Sequence, residues 1–420
     1  MKNFNSFLKE LRYANDNVGF YKKSFSENNI ELEKIQGIQD VDDIPFTDKA
    51  DYRKNFPIGT LAKGFVINHP MVTSSRSSGS TGERLITIEM GMNLLNRAVS
   101  CTKINPVILE IFTKLDRKIA RYAAPNCSDV ECANPNSSIE DRTLADNTLV
   151  LPVYHDLLTT TEAMIDRTIE EIETFQPDLF YIDPTHFAFL LREYKKRGLM
   201  PPQIPIIGAY TGTTACSRRQ ITEFYPDPNM YSQLLSSTEF GWVAMECSHG
   251  HLHVNDDSFF FEYVDLEDGE ALPDSFKELC ISSIDQGASP HIRYRTADIV
   301  SVIEGQCECG SDRPQIIMEG KLSHFLSKDG LPFLSPNQVD RLIGAPQWLE
   351  LYQIEQTTEN SFLLKIIVNE NYEQGSEQYI ANSLQEKFET GIRVDVSVVN
   401  YISAERSGKY QYVKGLISHV

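Results

Sequence analysis

The sequence predicts an α/β fold: a large N-terminal part that combines βαβ layers with a β-rich subdomain, followed by a small α+β domain. Three observations support this prediction. Helical patterns and short apolar runs alternate between residues 159 and 208, residues 239–304 are dominated by strand-like patterns, and three strand-like stretches with one helix follow residue 349. The length of 420 residues also exceeds what one ordinary hydrophobic core supports.

The N-terminal elements follow from periodicity and from turn residues. The segment up to about residue 60 has helical patterns with one turn at residues 42–45, and helical periodicity returns at residues 89–103. Residues 68–84 are rich in Ser, Gly and Thr and predict a polar loop. Residues 126–148, where Asn, Ser and Pro cluster, predict a second long loop or insertion.

The central elements carry the parallel sheet. We expect helices at residues 159–174 and 186–196, and buried strands at 178–182 and 204–208. Further along, residues 259–264 and 298–303 alternate or carry β-branched side chains, which favours antiparallel strands.

The last elements form a separate pattern. Strands are predicted at residues 349–355, 362–369 and 394–399, with an amphipathic helix at 379–389 between the last two. A turn rich in Cys and Gly precedes this pattern, so we place the domain boundary near Gly320. The predicted domains are therefore residues 1–319 and 320–420.

Composition excludes several classes of protein. The formal net charge is −20, which argues against nucleic-acid and anionic-membrane partners because both need clustered Lys and Arg. No stretch approaches the roughly 18 apolar residues of a membrane helix, and the opening Met-Lys-Asn-Phe-Asn-Ser is polar rather than leader-like. We therefore expect a cytoplasmic protein whose eight cysteines are mainly buried thiols rather than disulfides.

Residues 77–82, Ser-Ser-Gly-Ser-Thr-Gly, form the strongest local motif. Two glycines allow backbone conformations that turn N–H groups toward an anion, and the hydroxyls add further donors to phosphate oxygens. The motif lacks the Gly-Lys-Ser/Thr ending of a Walker A loop. On composition alone, a flexible surface linker is an equally good interpretation.

A second cluster suggests a metal site. Cys307 and Cys309 are one residue apart, and Cys247 is followed by histidines at positions 249, 251 and 253. Three thiolates and one imidazole suit tetrahedral Zn²⁺. C-x-C spacing is less usual than C-x₂-C, so unbound cysteines beside solvated histidines stay the alternative. A metal here would be structural, joining two β segments.

Five blocks, read in order, resemble the phenylacetate–CoA ligases, one branch of the adenylate-forming superfamily. They are Ile-Pro-Phe-Thr-Asp-Lys-Ala-Asp-Tyr-Arg at 44–53, the loop at 77–82, Ser-Pro-His-Ile-Arg-Tyr-Arg-Thr-Ala-Asp-Ile at 289–299, Cys-Glu-Cys-Gly at 307–310 and Ser-Gly-Lys at 407–409. Any one block is weak evidence of kinship, but five in the family's order are specific.

The resemblance implies a function. A carboxylic acid, aromatic or short, would react with ATP to give an acyl-AMP, and the acyl group would then pass to CoA while the C-terminal domain moves as a lid. The acceptor could instead be a carrier-protein thiol, an amine or a hydroxyl, since members of the branch differ in acceptor. A nucleotide-binding protein that has lost turnover is the third hypothesis. A homodimer is the default assembly, as in most soluble oligomers.

The resemblance also implies residue roles. The β- and γ-phosphates of ATP would lie on Ser78, Gly79, Ser80, Thr81 and Gly82. The adenine would lie along Gly208, Ala209 and Tyr210. Thr238 would contact the α-phosphate region, Glu239 would bind Mg²⁺, Asp298 the ribose hydroxyls, and Lys321 would lie at the hinge side of the ribose.

Lys409 would be the catalytic residue, because its charge would offset the negative charge that develops on the α-phosphate and the attacking carboxylate. The family's Gly-Leu-His favours His253 as the zinc ligand beside Cys247, Cys307 and Cys309. Taken singly, each of these residues is more often an ordinary surface or capping residue.

Several positions depart from the family's pattern. Glu83 and Arg84 replace Lys and Pro after the loop, and Leu235 and Ser236 replace an aromatic residue and Gly before the Thr-Glu pair. Tyr210 stands where the family has Glu and could supply the missing ring, and Ser323-His324 replaces the acidic hinge pair. These changes bear on rate, nucleotide preference and domain motion. Residues 126–148 with Tyr154 and His155 are expected near the acid.

Overall fold

The computed structural model describes residues 3–77, 85–125, 134–266, 272–388 and 391–416. Its α-helices are α1 Phe4–Asn17, α2 Gly19–Glu27, α3 Lys49–Asn55, α4 Gly91–Thr102, α5 Pro106–Phe112, α6 Ile139–Arg142, α7 Glu162–Phe175, α8 Pro184–Lys196, α9 Ala215–Phe224, α10 Pro336–Ile343 and α11 Gln378–Phe388. None of these described helices is long and apolar enough to cross a bilayer.

The strands before residue 260 are β1 Val72–Arg76, β2 Ile86–Met90, β3 Ile119–Tyr122, β4 Thr148–Val150, β5 Leu179–Ile182, β6 Ile206–Gly208, β7 Tyr231–Ser237, β8 Gly241–Glu246, β9 Leu252–Val254 and β10 Phe259–Val264. The later strands are β11 Phe276–Ser283, β12 Tyr294–Ile303, β13 Gln315–Lys321, β14 Leu326–Lys328, β15 Leu331–Leu334, β16 Leu349–Thr358, β17 Ser361–Val368, β18 Arg393–Val398 and β19 Val413–Lys414.

One long sheet forms the large domain, in the order β10-β11-β12-β13-β9-β8-β7-β6-β5-β3-β4. From β4 to β7 every pairing is parallel, and from β7 to β10 every pairing is antiparallel. Strand β7 belongs to both halves. The predicted α/β fold, with βαβ layers joined to a β-rich subdomain, is therefore confirmed.

The parallel half is built as the sequence pattern indicated. Strands β5 and β6 are buried along their whole length, as expected of a sheet covered on both faces. Helix α8 begins where Asp183 accepts hydrogen bonds from the backbone N–H groups of Thr185 and His186, with Pro184 at the first helical position. The cap places Asp183 directly after β5.

The N-terminal helices cover the antiparallel half. Phe7 of α1 stacks on Phe260 of β10 with ring centroids 4.3 Å apart, and both side chains are fully buried. Arg97 of α4 is also buried, and it forms ion pairs with Glu89 at 2.9 Å and Asp285 at 2.8 Å. A buried arginine is tolerated only with such partners, so this network holds α4, β2 and the turn after β11 together.

The C-terminal domain is a four-stranded sheet in the order β18-β17-β16-β19, with α10 and α11 beside it. All three strands predicted for this region exist, and the predicted helix is α11. Strands β17 and β18 pair in parallel, because α11 carries the chain from the end of one strand back to the start of the other.

Two loop predictions were partly wrong. Within residues 68–84, Val72–Arg76 forms β1, which pairs antiparallel with β2. Within residues 126–148, Ile139–Arg142 is a short helix and β4 starts at Thr148. Strand β1 forms because pairing with β2 outweighed its loop-like composition, and the short helix is capped by Ser138, whose side chain accepts a hydrogen bond from the Asp141 N–H.

Candidate active site and metal cluster

The predicted nucleotide-binding residues gather at one edge of the parallel sheet. Because the strands run in parallel, their carboxyl ends meet, which is where open α/β sheets usually bind ligands. Ala123 follows β3, Asp183 follows β5, Tyr210 lies just beyond β6, and Thr238 with Glu239 follow β7. Of these residues, Tyr210, Thr238 and Glu239 were predicted for the nucleotide site, and the topology brings them to one edge together with Ala123 and Asp183, which were not predicted.

The adenine segment predicted at Gly208, Ala209 and Tyr210 leaves this edge. Gly208 is needed for close packing, since an added Cβ would overlap the hydroxyl of Tyr231. Tyr210 has a positive φ of 70°, and its ring packs against Ala123 and Ala124. Tyr210 therefore supplies an aromatic ring at the strand ends, whereas Leu235 and Ser236, which replace the family's aromatic residue and Gly, supply none.

Asp298 and Lys321 are direct cross-strand neighbours on β12 and β13. Lys321 Nζ donates to Asp298 Oδ1 at 2.8 Å and to the carbonyl oxygen of Thr296 at 3.2 Å. Burial opposes the charge of Lys321, but the carboxylate outweighs burial and raises the pKa of the lysine. Asp298 and Lys321, the two residues predicted to lie at the ribose, therefore form an ion pair with each other.

Glu239 lies beside two residues that the predicted site did not include. Tyr294 donates its hydroxyl to Glu239 Oε1 at 2.9 Å, and burial followed by this carboxylate raises the pKa of the phenol. Burial lowers the pKa of Lys49, while Glu239 acts in the opposite direction and Lys321 lowers it further. Thr47 forms an isolated parallel β-bridge with Tyr294, which places the start of α3 close to this carboxylate.

Lys49 and Tyr294 belonged to the two recognised blocks at 44–53 and 289–299. Their position in these blocks was the one sequence signal that could have identified them. Nothing in the sequence indicated that the two blocks touch. The predicted phosphate residues Ser78, Gly79, Ser80, Thr81 and Gly82, with Glu83 and Arg84, lie outside the described residues.

The loop that carries Lys409 is docked on the large domain. Gly408 has φ 80°, and a Cβ added there would overlap Ala124 and come within 3.1 Å of the carbonyl oxygen of His155. Only glycine permits both the backbone conformation and this approach. Since Ala124 also packs against Tyr210, the Lys409 loop lies next to the strand ends that carry the predicted adenine segment.

The four predicted zinc ligands also come together. The ligand atoms of Cys247, His253, Cys307 and Cys309 all lie within 4.8 Å of one another. The Cys247 and Cys307 sulfurs are 3.8 Å apart, and Cys309 Sγ is 3.4 Å from His253 Nε2. This set spans the β8–β9 turn and the segment before β13.

His253 is oriented by the main chain. Its Nδ1 lies 3.0 Å from the carbonyl oxygen of Arg313, so Nδ1 carries the proton and the Nε2 lone pair faces Cys309. His251 is the nearest alternative, with Nδ1 3.3 Å from Cys307 Sγ. Burial opposes ionisation of Cys307, but hydrogen bonds from the Cys309 backbone and from His251 lower its pKa.

Comparisons with known proteins agree with this architecture. Residues 325–415 match the family described as the CapK C-terminal domain. A phenylacetate-coenzyme A ligase of Thermus thermophilus is 26% identical over 386 residues, covering 87% of this chain and 80% of the relative. Another, from Aromatoleum evansii, is 24% identical over 406 residues, covering 92% and 87%.

Among solved structures, 2-hydroxyisobutyryl-CoA ligase in the postadenylation state, bound to 2-HIB-AMP, aligns with a TM-score of 0.73 at 14% identity. The alignment covers 98% of this chain and 88% of that one. The same ligase in its thioesterification state aligns with a TM-score of 0.57. The chain therefore has the fold of the adenylate-forming ligases and resembles, along most of its length, the phenylacetate–CoA ligases.

Proposed function

We propose that this protein activates a carboxylic acid with ATP and transfers the acyl group to CoA. In the first step a carboxylate oxygen attacks the α-phosphorus of ATP, and the bond to the β-phosphate breaks to release pyrophosphate. In the second step the CoA sulfur attacks the acyl carbon, AMP leaves, and the thiol proton is lost to solvent. The relatives named phenylacetate-coenzyme A ligase support this proposal.

The observation that carries the proposal is the docking of the Lys409 loop at the strand ends. Gly408 touches Ala124 there, Asp298 and Lys321 lie on the neighbouring strands β12 and β13 of the same sheet, and Glu239 follows β7 further along that sheet. A mobile loop bearing a lysine has a physical reason to be close to a nucleotide's phosphates, because it can offset negative charge that develops during the reaction.

Asp298 would accept hydrogen bonds from the two ribose hydroxyls. Its backbone N–H donates to Thr296 Oγ1 at 3.1 Å, which holds the carboxylate in place at the start of the regular β12–β13 pairing. Lys321 forms an ion pair with that carboxylate at 2.8 Å. Lys49 would add positive charge close to Glu239, where the triphosphate would otherwise be repelled by an acidic residue.

Glu239 has the chemistry to hold Mg²⁺. It is a partly buried carboxylate, and among the described residues Tyr294 bonds to Oε1 and leaves the second oxygen for a hard cation. Bound Mg²⁺ would neutralise phosphate charge during pyrophosphate departure.

Glu239→Gln is expected to raise the Mg²⁺ concentration needed for half-maximal activity about tenfold or more, because it removes a charged ligand while keeping an acceptor for Tyr294. Titrating Mg²⁺ in a pyrophosphate-exchange assay measures the shift. Tyr294→Phe keeps the carboxylate and should cause a smaller shift, and Glu370→Gln, at an exposed residue of the C-terminal domain, should cause none. An unchanged Mg²⁺ requirement in Glu239→Gln would remove this residue from the metal site.

We also propose that Cys247, His253, Cys307 and Cys309 bind one structural Zn²⁺. Three sulfurs and one imidazole with its lone pair turned inward fit the tetrahedral preference of that ion, and His253 already has the outer-shell carbonyl partner that zinc-bound imidazoles usually have. The cluster would fasten the β8–β9 turn to the segment before β13 and would take no part in the acyl chemistry.

Further details belong to the same proposal. The acid is aromatic or short, the protein is cytoplasmic and the assembly is a homodimer. The lid domain begins near residue 320, since β13 is still part of the large sheet up to Lys321 and the CapK match begins at residue 325. A carrier-protein thiol, an amine or a hydroxyl replaces CoA if the test below excludes CoA.

The test is ATP–pyrophosphate exchange with Mg²⁺ and a panel of aryl and short-chain acids. Exchange that requires one acid would establish adenylation and name the substrate. Adding CoA, a pantetheine carrier protein or simple amines to that acid then identifies the acceptor. Bound ATP without exchange for any acid would favour a nucleotide-binding protein, and no ATP binding at all would contradict the proposal.

A further inference from the structure

One carboxylate of the large domain is bonded to two tyrosines of the C-terminal domain. Asp156 follows Tyr154 and His155 in the segment after β4. Tyr410 donates its hydroxyl to Asp156 Oδ1 at 3.1 Å, and Tyr401 donates to Asp156 Oδ2. Both carboxylate oxygens are therefore used by the same neighbouring domain.

The two tyrosines flank the Lys409 loop. Residues 402–409 lie between them and form a turn in which Glu405 N–H donates to the Lys409 carbonyl at 2.8 Å and Gly408 N–H donates to the Glu405 carbonyl at 2.7 Å. Asp156 thus holds both ends of a compact loop. Since the contact of Gly408 with Ala124 and His155 lies inside that loop, three points hold it to the large domain.

Other hydrogen bonds between the two domains lie at helix α9. Ala215 N–H donates to Asp340 Oδ2 at 2.8 Å and Gln220 Nε2 donates to the carbonyl of Glu350 at 2.9 Å, both from α9. These bonds attach the body of the C-terminal domain. They do not reach residues 402–409. Inside the loop, Ile402 packs into the hydrophobic core of the parallel half and adds an apolar contact to those of Asp156 and Gly408, so the placement of the loop depends on its own anchors.

We propose that Asp156 is the positioning residue that latches the Lys409 loop in the adenylation position. The inference rests on the proposed function, in which Lys409 must be at the phosphates for the first step and must leave before the second. A latch made of phenol–carboxylate hydrogen bonds suits this cycle, because water can replace each bond when the domain departs. Tyr410 is buried at the contact, and Tyr401 lies at its exposed rim.

The test compares two half-reactions in Asp156→Ala. The rate of acyl-adenylate formation, measured by pyrophosphate exchange, should fall by about tenfold or more, because two charge-assisted hydrogen bonds are lost. Thioester formation from preformed acyl-AMP should stay within about twofold of the wild type, because it does not use the latched position. Tyr410→Phe and Tyr401→Phe should each give part of the adenylation defect.

A conformational readout keeps the latch separate from the chemistry. In Asp156→Ala, amide hydrogen exchange of residues 402–409 should accelerate while that of α9 is unchanged. Tyr372→Phe, which removes a phenol–carboxylate bond to Glu377 inside the C-terminal domain, should change neither readout. Equal losses in both half-reactions, or unchanged exchange in the loop, would overturn the latch. If wild-type protein showed no adenylation, the proposed function would fail, and hydrogen exchange alone would decide the latch.

Discussion

Replacing Lys409 with alanine is expected to lower the rate of acyl-adenylate formation by about 100- to 1,000-fold, the usual cost of removing one preorganised charge from a transition state. The side chain is carried on a loop that Gly408 docks against Ala124 and His155. When the carboxylate attacks the α-phosphate, negative charge develops there, and the lysine ammonium would offset it. Pyrophosphate exchange with the acid identified above measures the loss.

The effect should be confined to the first half-reaction. Thioester formation from added acyl-AMP should proceed at near the wild-type rate in Lys409→Ala, because the lysine has no part in the attack by the thiol. Lys409→Arg retains the charge but not the compact ammonium group, so it should recover only part of the activity.

Lys365→Ala is the matched control, since it removes a lysine from strand β17 of the same domain without touching the loop. If the adenylation rate of Lys409→Ala stayed within about threefold of the wild-type rate, Lys409 would have no transition-state role, because removal of such a residue lowers the rate far more.

The second large effect concerns the cysteine cluster. We expect purified protein to contain about one equivalent of zinc, and Cys309→Ser to lose most of it, because a structural site needs all four ligands. Loss of the metal should lower the melting temperature by about 5 °C or more, since the metal's binding energy contributes directly to folding. Elemental analysis and thermal unfolding, with and without a chelator, measure the two quantities.

The choice of imidazole can be decided in the same experiment. His253→Ala should release zinc as Cys309→Ser does, whereas His251→Ala should retain it, because only His253 has Nδ1 held by a carbonyl with Nε2 facing the sulfurs. Cys101→Ala is the control, because it removes a buried thiol outside the cluster. Its zinc content should equal that of the wild type even if its melting temperature changes. Zinc-free wild-type protein that binds none on addition would rule the site out.

The order of elements could be predicted from local patterns. Short apolar runs and helical periodicity predicted β5, α8 and β10 close to their observed bounds, because burial on both faces leaves a continuous apolar run and burial on one face leaves a periodic pattern. Cys307 and Cys309 could be grouped with Cys247 and a nearby histidine because ligand chemistry restricts the residue types so strongly, and the family resemblance selected His253 among the three histidines.

Local sequence patterns did not predict elements whose structure depends on pairing with a distant strand. Strand β1 is polar and reads as a loop, yet it pairs with β2 along its whole length. The parallel pairing of β17 and β18 likewise depends on the path of the chain through α11. In both cases the stabilising hydrogen bonds come from a different segment, and a single stretch of sequence does not contain that information.

By itself, the sequence determined the α/β class, the ordered blocks and the residue types of the proposed nucleotide and zinc sites. Only the tertiary structure placed Lys49 and Tyr294 beside Glu239, paired Lys321 with Asp298, and joined Asp156 to Tyr401 and Tyr410. The Asp156 contacts span 245 and 254 positions along the chain. Contacts of this length arise from the packing of whole domains, so no local spacing or periodicity encodes them.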